Sequence, residues 1–60
     1  MNSELPQDTF MLFSYINMKL RDEYASLDEL CEDMNVNKEV LVTKFGSMGF
    51  EYSPEHNKFW

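Results

Sequence analysis

The chain has little of what usually reinforces a small protein, since its 60 residues include one cysteine, one histidine, two glycines and two prolines. One cysteine cannot close a disulfide within the chain, and one cysteine with one histidine cannot provide the four ligands of a usual structural zinc site. We therefore expect no metal and no cofactor. A domain of this length buries only about 60% of its unfolded surface, so oligomerisation is the reinforcement that remains.

Long apolar segments and basic residues are scarce as well. No run approaches the roughly 18 apolar residues of a membrane-spanning helix, and the N-terminus lacks the basic and apolar segments of a signal peptide. Lys and Arg number five against eleven Asp and Glu, which gives a net charge of −6. These absences predict a cytoplasmic protein that does not enter a membrane and whose thiol is reduced.

The chain is rich in large apolar side chains, with nine aromatic residues and five methionines. A first helix is predicted from Thr9 to about Asp22, capped by Asp8. The residues expected to face the core from this helix and its end are Phe13, Ile16, Leu20 and Tyr24. A second apolar line lies on a different face of the helix and consists of Met11, Tyr15 and Met18.

Two shorter helices are predicted around a turn at residues 35–37. Ser26 and Glu29 form a capping box at the start of the second helix, in which each side chain accepts a hydrogen bond from a backbone N–H. Asn37 is placed to cap the third helix, and Gly49 to end it in a left-handed conformation. The residues predicted to face the core from these helices are Leu27, Leu30, Cys31, Met34, Val40, Leu41, Phe45 and Met48.

The last eleven residues predict a β-hairpin, because residues 50–52 and 58–60 alternate as short strands do. Pro54 and Asn57 are the turn residues between them. A two-stranded hairpin is barely stable alone, so this one must lie against the helices. The chain is thus predicted to be a single domain over residues 1–60, mainly α, with residues 1–7 as a flexible lead. Its three helices, including a helix-turn-helix, precede a C-terminal two-stranded hairpin in a winged-helix-like order.

Three segments carry a resemblance to a known family: LPQDTFMLFSYINMKLRDEY, SLDELCEDMNV and FGSMGFEYSPEHNKFW. With these segments the chain resembles the domain of unknown function 4250 family of small bacterial proteins. The run from Asn17 to Asp22 is the most specific part. The resemblance implies a bacterial, free-standing small protein and supplies no activity, substrate or catalytic residue. The order of the elements also resembles, more loosely, winged helix-turn-helix domains.

Residues that often act in catalysis are isolated along this sequence. His56 falls in the predicted hairpin loop, where solvation explains it. Cys31 falls on a buried stripe, where an apolar setting raises the pKa of a thiol and makes it inert. The acidic residues of the second helix lack the ligand spacing and the glycine of a calcium loop. We therefore expect no enzymatic activity.

Two functions remain open. Methionine and tyrosine suit interfaces, and the line Met11, Tyr15 and Met18 has no obvious internal partner. The first hypothesis is therefore a protein-interaction or self-association module, with a possible homodimer in which the first helices pair antiparallel. The alternative is a dimeric winged-helix transcriptional regulator whose third helix and wing bind DNA. Its predicted contacts are Asn37, Lys38, Thr43, Lys44, Ser47 and Lys58.

The distribution of charge disfavours the second hypothesis. Residues 1–37 carry eight acidic and two basic side chains, whereas residues 38–60 carry three of each. Affinity for nucleic acid depends largely on how many phosphates the protein neutralises, and three lysines neutralise few. A nucleic-acid partner is therefore possible but less expected than a protein partner or a second copy of the chain.

Overall fold

The structure is a computed structural model that describes residues 7–60. It contains α1 (Thr9–Asp22), α2 (Leu27–Met34), α3 (Lys38–Gly46), β1 (Tyr52–Ser53) and β2 (Lys58–Phe59). The two strands pair antiparallel, with Tyr52 opposite Phe59. The predicted fold of three helices with a helix-turn-helix and a C-terminal hairpin is confirmed.

The predicted flexible lead, residues 1–7, lies outside the described residues except for Gln7, which is exposed. Within residues 7–60, none of the helices combines the length and apolar character that crossing a membrane requires.

The helices begin where the capping residues predict. The Asp8 carboxylate accepts hydrogen bonds from the backbone N–H groups of Phe10 and Met11, at 2.8 and 3.2 Å. The Ser26 hydroxyl accepts from the Glu29 N–H at 3.1 Å, and the Glu29 carboxylate accepts from the Ala25 N–H at 3.3 Å. Each side chain satisfies an N–H group that a helix start leaves unpaired, so the short α2 gains a defined first turn.

The turn and the end of α3 are also set by single residues. Asn35 ends α2 in the left-handed region at φ 58°, and the Asn37 carboxamide oxygen accepts from the N–H groups of Glu39 and Val40. Gly49, at φ +95°, follows a tight turn after the end of α3. Its left-handed conformation, predicted as the helix end, falls three residues beyond the last helical residue, Gly46.

The core lies where the three helices and β2 meet. Its centre is Phe45, whose ring makes edge contacts with the rings of Phe13 and Phe59 at centroid distances of 5.6 and 4.8 Å. Edge-to-face pairs of this kind add about 0.5–1.5 kcal/mol to the burial of the rings themselves. The buried residues are Leu12, Ile16, Leu20, Leu27, Leu30, Cys31, Leu41, Phe45 and Phe59.

Most of the predicted core is confirmed, with two exceptions, of which the first is Met48, partly buried but not among the residues packed against the core. The second is Val40, which was predicted to face the core, but its side chain is exposed. Leu41 and Phe45, one turn apart, define the buried line of α3, and Val40 lies about 100° away from Leu41 around the helix. On α1, Leu12 is buried, while Phe13 packs against the core and is partly buried.

Two asparagine side chains hold the hairpin to α1. The Asn17 side chain donates from Nδ2 to the Phe59 carbonyl at 2.9 Å and accepts at Oδ1 from the Phe59 N–H at 2.8 Å. Asn57, in the left-handed region at φ 52°, donates from Nδ2 to the carbonyls of Leu20 and Tyr24 at 3.0 and 2.9 Å. The second asparagine therefore satisfies carbonyls that the end of α1 leaves free.

A tyrosine hydroxyl joins the hairpin to α2. The Tyr52 hydroxyl donates to Asn57 Oδ1 at 2.5 Å and accepts from the Leu27 N–H at 3.2 Å. The Leu27 N–H is the first of α2 and has no partner within the helix. The hairpin thereby contacts the end of α1 and the start of α2 at once.

Candidate interaction site

The outer face of α1 is apolar and exposed over its first three turns. Met11 is 63% exposed and Met18 40%, while Tyr15 packs at the edge of the core with Lys19 Nζ 5.6 Å from its ring centroid. Residues three and four apart in a helix are neighbours on one face. Phe10, which is not part of the predicted line, is also exposed beside it. We call Phe10, Met11, Tyr15 and Met18 the α1 face.

A groove of about 770 Å³ runs between α1 and the hairpin turn, next to the α1 face. None of the residues that line it is acidic, although Asp and Glu outnumber Lys and Arg by eleven to five in the chain. Its residues are Phe13, Ser14, Asn17, Met18, Leu20, Arg21, His56, Asn57 and Lys58.

Two of the residues that line the groove on the hairpin side, His56 and Lys58, contact the only tryptophan of the chain, Trp60. The Trp60 ring is 57% exposed, with the His56 ring at a centroid distance of 4.2 Å and Lys58 Nζ 5.1 Å from its own centroid. Its backbone is fixed by a pair of hydrogen bonds with Glu51, at 3.0 and 3.1 Å. Alternation along β2 puts Lys58 and Trp60 on one side of the hairpin, so their proximity was readable from the sequence.

The residues predicted to contact DNA are exposed, but several already have partners. Lys38 Nζ lies 2.8 Å from an Asp28 carboxylate oxygen, and that hydrogen bond raises the pKa of Lys38. The Asn37 side chain caps α3, and the Ser47 hydroxyl donates to the Lys44 carbonyl at 2.7 Å.

The structure brings two of these predicted residues, Lys38 and Thr43, together on a shallow surface of α3 shared with Glu39 and Val42. Lys58 lies on the hairpin instead, against Trp60.

Acidic side chains dominate the outer surface of α2. The Tyr24 hydroxyl donates to an Asp33 carboxylate oxygen at 2.5 Å, which raises the pKa of Tyr24. Among residues 7–60, no group of three or more His, Cys, Asp and Glu side chains is arranged to hold a metal ion. The exposed acidic residues of this surface are Asp28, Glu29, Glu32 and Asp33.

The cysteine and the histidine lie in different settings. Cys31 is buried in the core, and burial raises the pKa of its thiol, so little reactive thiolate forms at neutral pH. His56 is exposed in the hairpin turn beside Trp60.

Comparison with known proteins identifies the family of this chain. Among curated proteins none matches, and none of the solved structures matches either. Residues 6–59 match the sequence profile of a family described as a domain of unknown function (DUF4250). That match spans nearly the whole chain, and the protein therefore belongs to the DUF4250 family.

Proposed function

We propose that the protein is a non-enzymatic self-association module in which two copies pair through the α1 face. The observation that carries the proposal is the exposure of Phe10, Met11 and Met18 on one side of a single helix. Aromatic residues and methionine are enriched at interfaces, and methionine adapts its shape to a partner. Burial of these side chains would add apolar contacts that a domain of this size needs.

The size of the face sets the expected strength of the contact. A standard interface buries about 800 Å² on each partner, whereas α1 has only 14 residues and is about 21 Å long. A helix pair of this length is smaller than the standard interface. We therefore expect a dissociation constant in the range of about 1–100 µM.

Charge favours the α1 face over the rest of the surface as the place of contact. Each copy carries a net charge of −6, and the acidic side chains of α2 would repel one another if two copies met there. On α1, Arg21 and Asp22 neutralise each other, with hydrogen bonds of 2.9 and 3.0 Å. Because salt screens the repulsion between the acidic copies, self-association should strengthen as ionic strength rises.

Light scattering across a concentration series tests the proposal. The wild-type chain should form dimers at about 300 µM, and Met18→Glu should shift it to monomer, because the charge would be buried in the contact. Val42→Glu is the matched control: Val42 is 43% exposed on α3, close to the 40% of Met18, and the charge change is the same. A wild-type chain that stays monomeric at this concentration would refute the proposal.

DNA binding is the alternative function, and fewer observations support it. Lys38 is paired with Asp28, so one of the predicted phosphate contacts is already engaged. A labelled duplex at about 50 mM salt separates the two functions, since DNA binding weakens with salt whereas self-association strengthens.

A further inference from the structure

We propose that the groove between α1 and the hairpin turn binds an acidic peptide segment of a partner protein. In this arrangement apolar side chains of the peptide rest on the groove floor and its carboxylates meet cationic groups at the rim. The groove shares Met18 with the α1 face but differs from it in the cationic residues Arg21 and Lys58 on its lining, and it adds a ligand class to the proposed self-association.

The residues that line the groove carry no negative charge, whereas the whole chain has a net charge of −6. Arg21 and Lys58, two of the five basic residues of the chain, line the groove together with the only histidine. Two neighbouring acids reduce this positive charge: Asp22 holds Arg21, and the exposed Glu55 precedes His56 in the turn. Asp22 takes two of the five N–H donors of the Arg21 guanidinium, which leaves donors for an incoming carboxylate.

The floor of the groove favours a peptide over a free anion. Phe13 packs against the core, and Met18 is 40% exposed with a flexible side chain, so the floor can cover apolar side chains of a ligand. A peptide whose acidic and apolar residues alternate presents the two kinds of side chain on opposite sides when extended. Such a segment could meet the floor with one side and the rim with the other.

Long-range repulsion does not prevent the binding of an acidic ligand. The exposed acids of α2 belong to a different surface from the groove residues. At physiological ionic strength, charges farther apart than about 8 Å are largely screened. The charges nearest the groove therefore dominate. These are Arg21 and Lys58 on its lining, with Asp22 bound to Arg21 and Glu55 next to His56 in the turn. A nucleic acid fits less well, because an apolar floor provides its phosphates with neither a hydrogen-bond donor nor a positive charge.

Trp60 makes the site observable without a label, because it is the only tryptophan and contacts both His56 and Lys58. The probe is the blocked peptide Glu-Leu-Glu-Leu-Glu, titrated at about 150 mM salt while tryptophan fluorescence is recorded. We expect a saturable change with a dissociation constant below about 1 mM. The peptides Gln-Leu-Gln-Leu-Gln and Lys-Leu-Lys-Leu-Lys should bind several-fold more weakly.

Two charge-reversed variants test the role of the rim. Lys58→Glu should weaken binding of the acidic peptide by about three- to ten-fold. Lys44→Glu, on the exposed side of α3, makes the same change in net charge and should have less than about a two-fold effect. Circular dichroism checks that both variants fold. Because Lys58 lies against the Trp60 ring, its replacement changes the fluorescence of that ring, and peptide binding to both variants is therefore also measured by calorimetry.

The outcomes separate this proposal from self-association. Light scattering of Lys58→Glu should match the wild type, because Lys58 is not part of the α1 face. A dimeric wild type that gives no saturable signal with the acidic peptide would overturn the groove proposal alone. Equal binding of the acidic and neutral peptides, or tighter binding of the lysine peptide, would also overturn it.

Discussion

The helix-turn-helix and the hairpin are held in the molecule by different interactions. In the helical part, Ser26 and Asn37 cap the helices locally, and apolar side chains pack α1, α2 and α3 together. The hairpin contributes one fully buried side chain, Phe59, with Tyr52 packed against the core, and is otherwise fixed by hydrogen bonds of the Asn17 and Asn57 side chains and of the Tyr52 hydroxyl. The helical part thus depends on short-range signals and apolar burial, whereas the hairpin depends on polar contacts with distant residues.

This difference shows how a hairpin with two-residue strands can be ordered at all. Two paired strands alone are marginal in water. The four hydrogen bonds of Asn17 and the Asn57 amide group join residues 33 to 42 positions apart in the chain. Each replaces a bond to water that would otherwise be lost when the backbone group is covered.

Removal of the residue shared by both parts should have the largest effect. Phe45 is fully buried and contacts Phe13 on α1 and Phe59 on β2. Phe45→Ala should cost about 3–5 kcal/mol, which is comparable to the whole stability of a small domain. We expect a largely unfolded chain by circular dichroism. Val42→Ala, an exposed control on α3, should change the free energy of unfolding by less than about 0.5 kcal/mol.

Loss of the first asparagine should weaken the hairpin in particular. Asn17→Ala leaves the N–H and the carbonyl of Phe59 without their partners, at a cost of about 2–3 kcal/mol in urea unfolding. Amide hydrogen exchange should show the greatest loss of protection at Phe59. Equal loss of protection throughout the helices, with no excess in the hairpin, would contradict the polar attachment of this element.

The comparison also explains what could be predicted from the sequence. The caps at Asp8, Ser26 and Asn37 were predictable because their partners lie two or three residues away. The long-range hydrogen bonds of Asn17 and Asn57 were not, although Asn57 was predicted as a turn residue, since nothing local distinguishes an asparagine that binds a distant backbone from one that faces water.

The two candidate surfaces also differ in whether the local sequence predicts them. The α1 face was predictable from helical spacing, apart from Phe10. The groove was not, because it exists only where the hairpin turn meets α1. Val40 was misassigned because α3 is too short for its apolar residues to define one stripe.

A local cap should matter less than the asparagine attachment. Ser26→Ala removes the hydroxyl that accepts from the Glu29 N–H and should lower the free energy of unfolding by about 1 kcal/mol. Ser26→Asp keeps an acceptor and should stay within about 0.5 kcal/mol of the wild type. Thermal unfolding measures both. If Ser26→Ala lowered the free energy of unfolding more than Asn17→Ala, the local cap would contribute more to stability than the distant asparagine contacts, contrary to this prediction.

The smallest effect is expected at the end of α3, where two glycines differ. An added Cβ at Gly46 would meet nothing within 4 Å, so Gly46→Ala should stabilise the chain by about 0.5 kcal/mol. Gly49 has the same open space but a φ of +95°, so Gly49→Ala should destabilise it by about 1 kcal/mol. Chemical denaturation compares the two, and the same sign for both would refute the explanation from backbone conformation.

The Tyr52 hydroxyl has a consequence for how the molecule opens. It connects the first N–H of α2 with Asn57, whose amide group binds the end of α1. The hairpin cannot swing away without uncovering both helix ends, so its opening is coupled to the loss of contacts at the end of α1 and the start of α2. In the wild type the slowest-exchanging amides of α2 and β2 should therefore report similar free energies, and loss of the Asn17 hydrogen bonds should separate the two values.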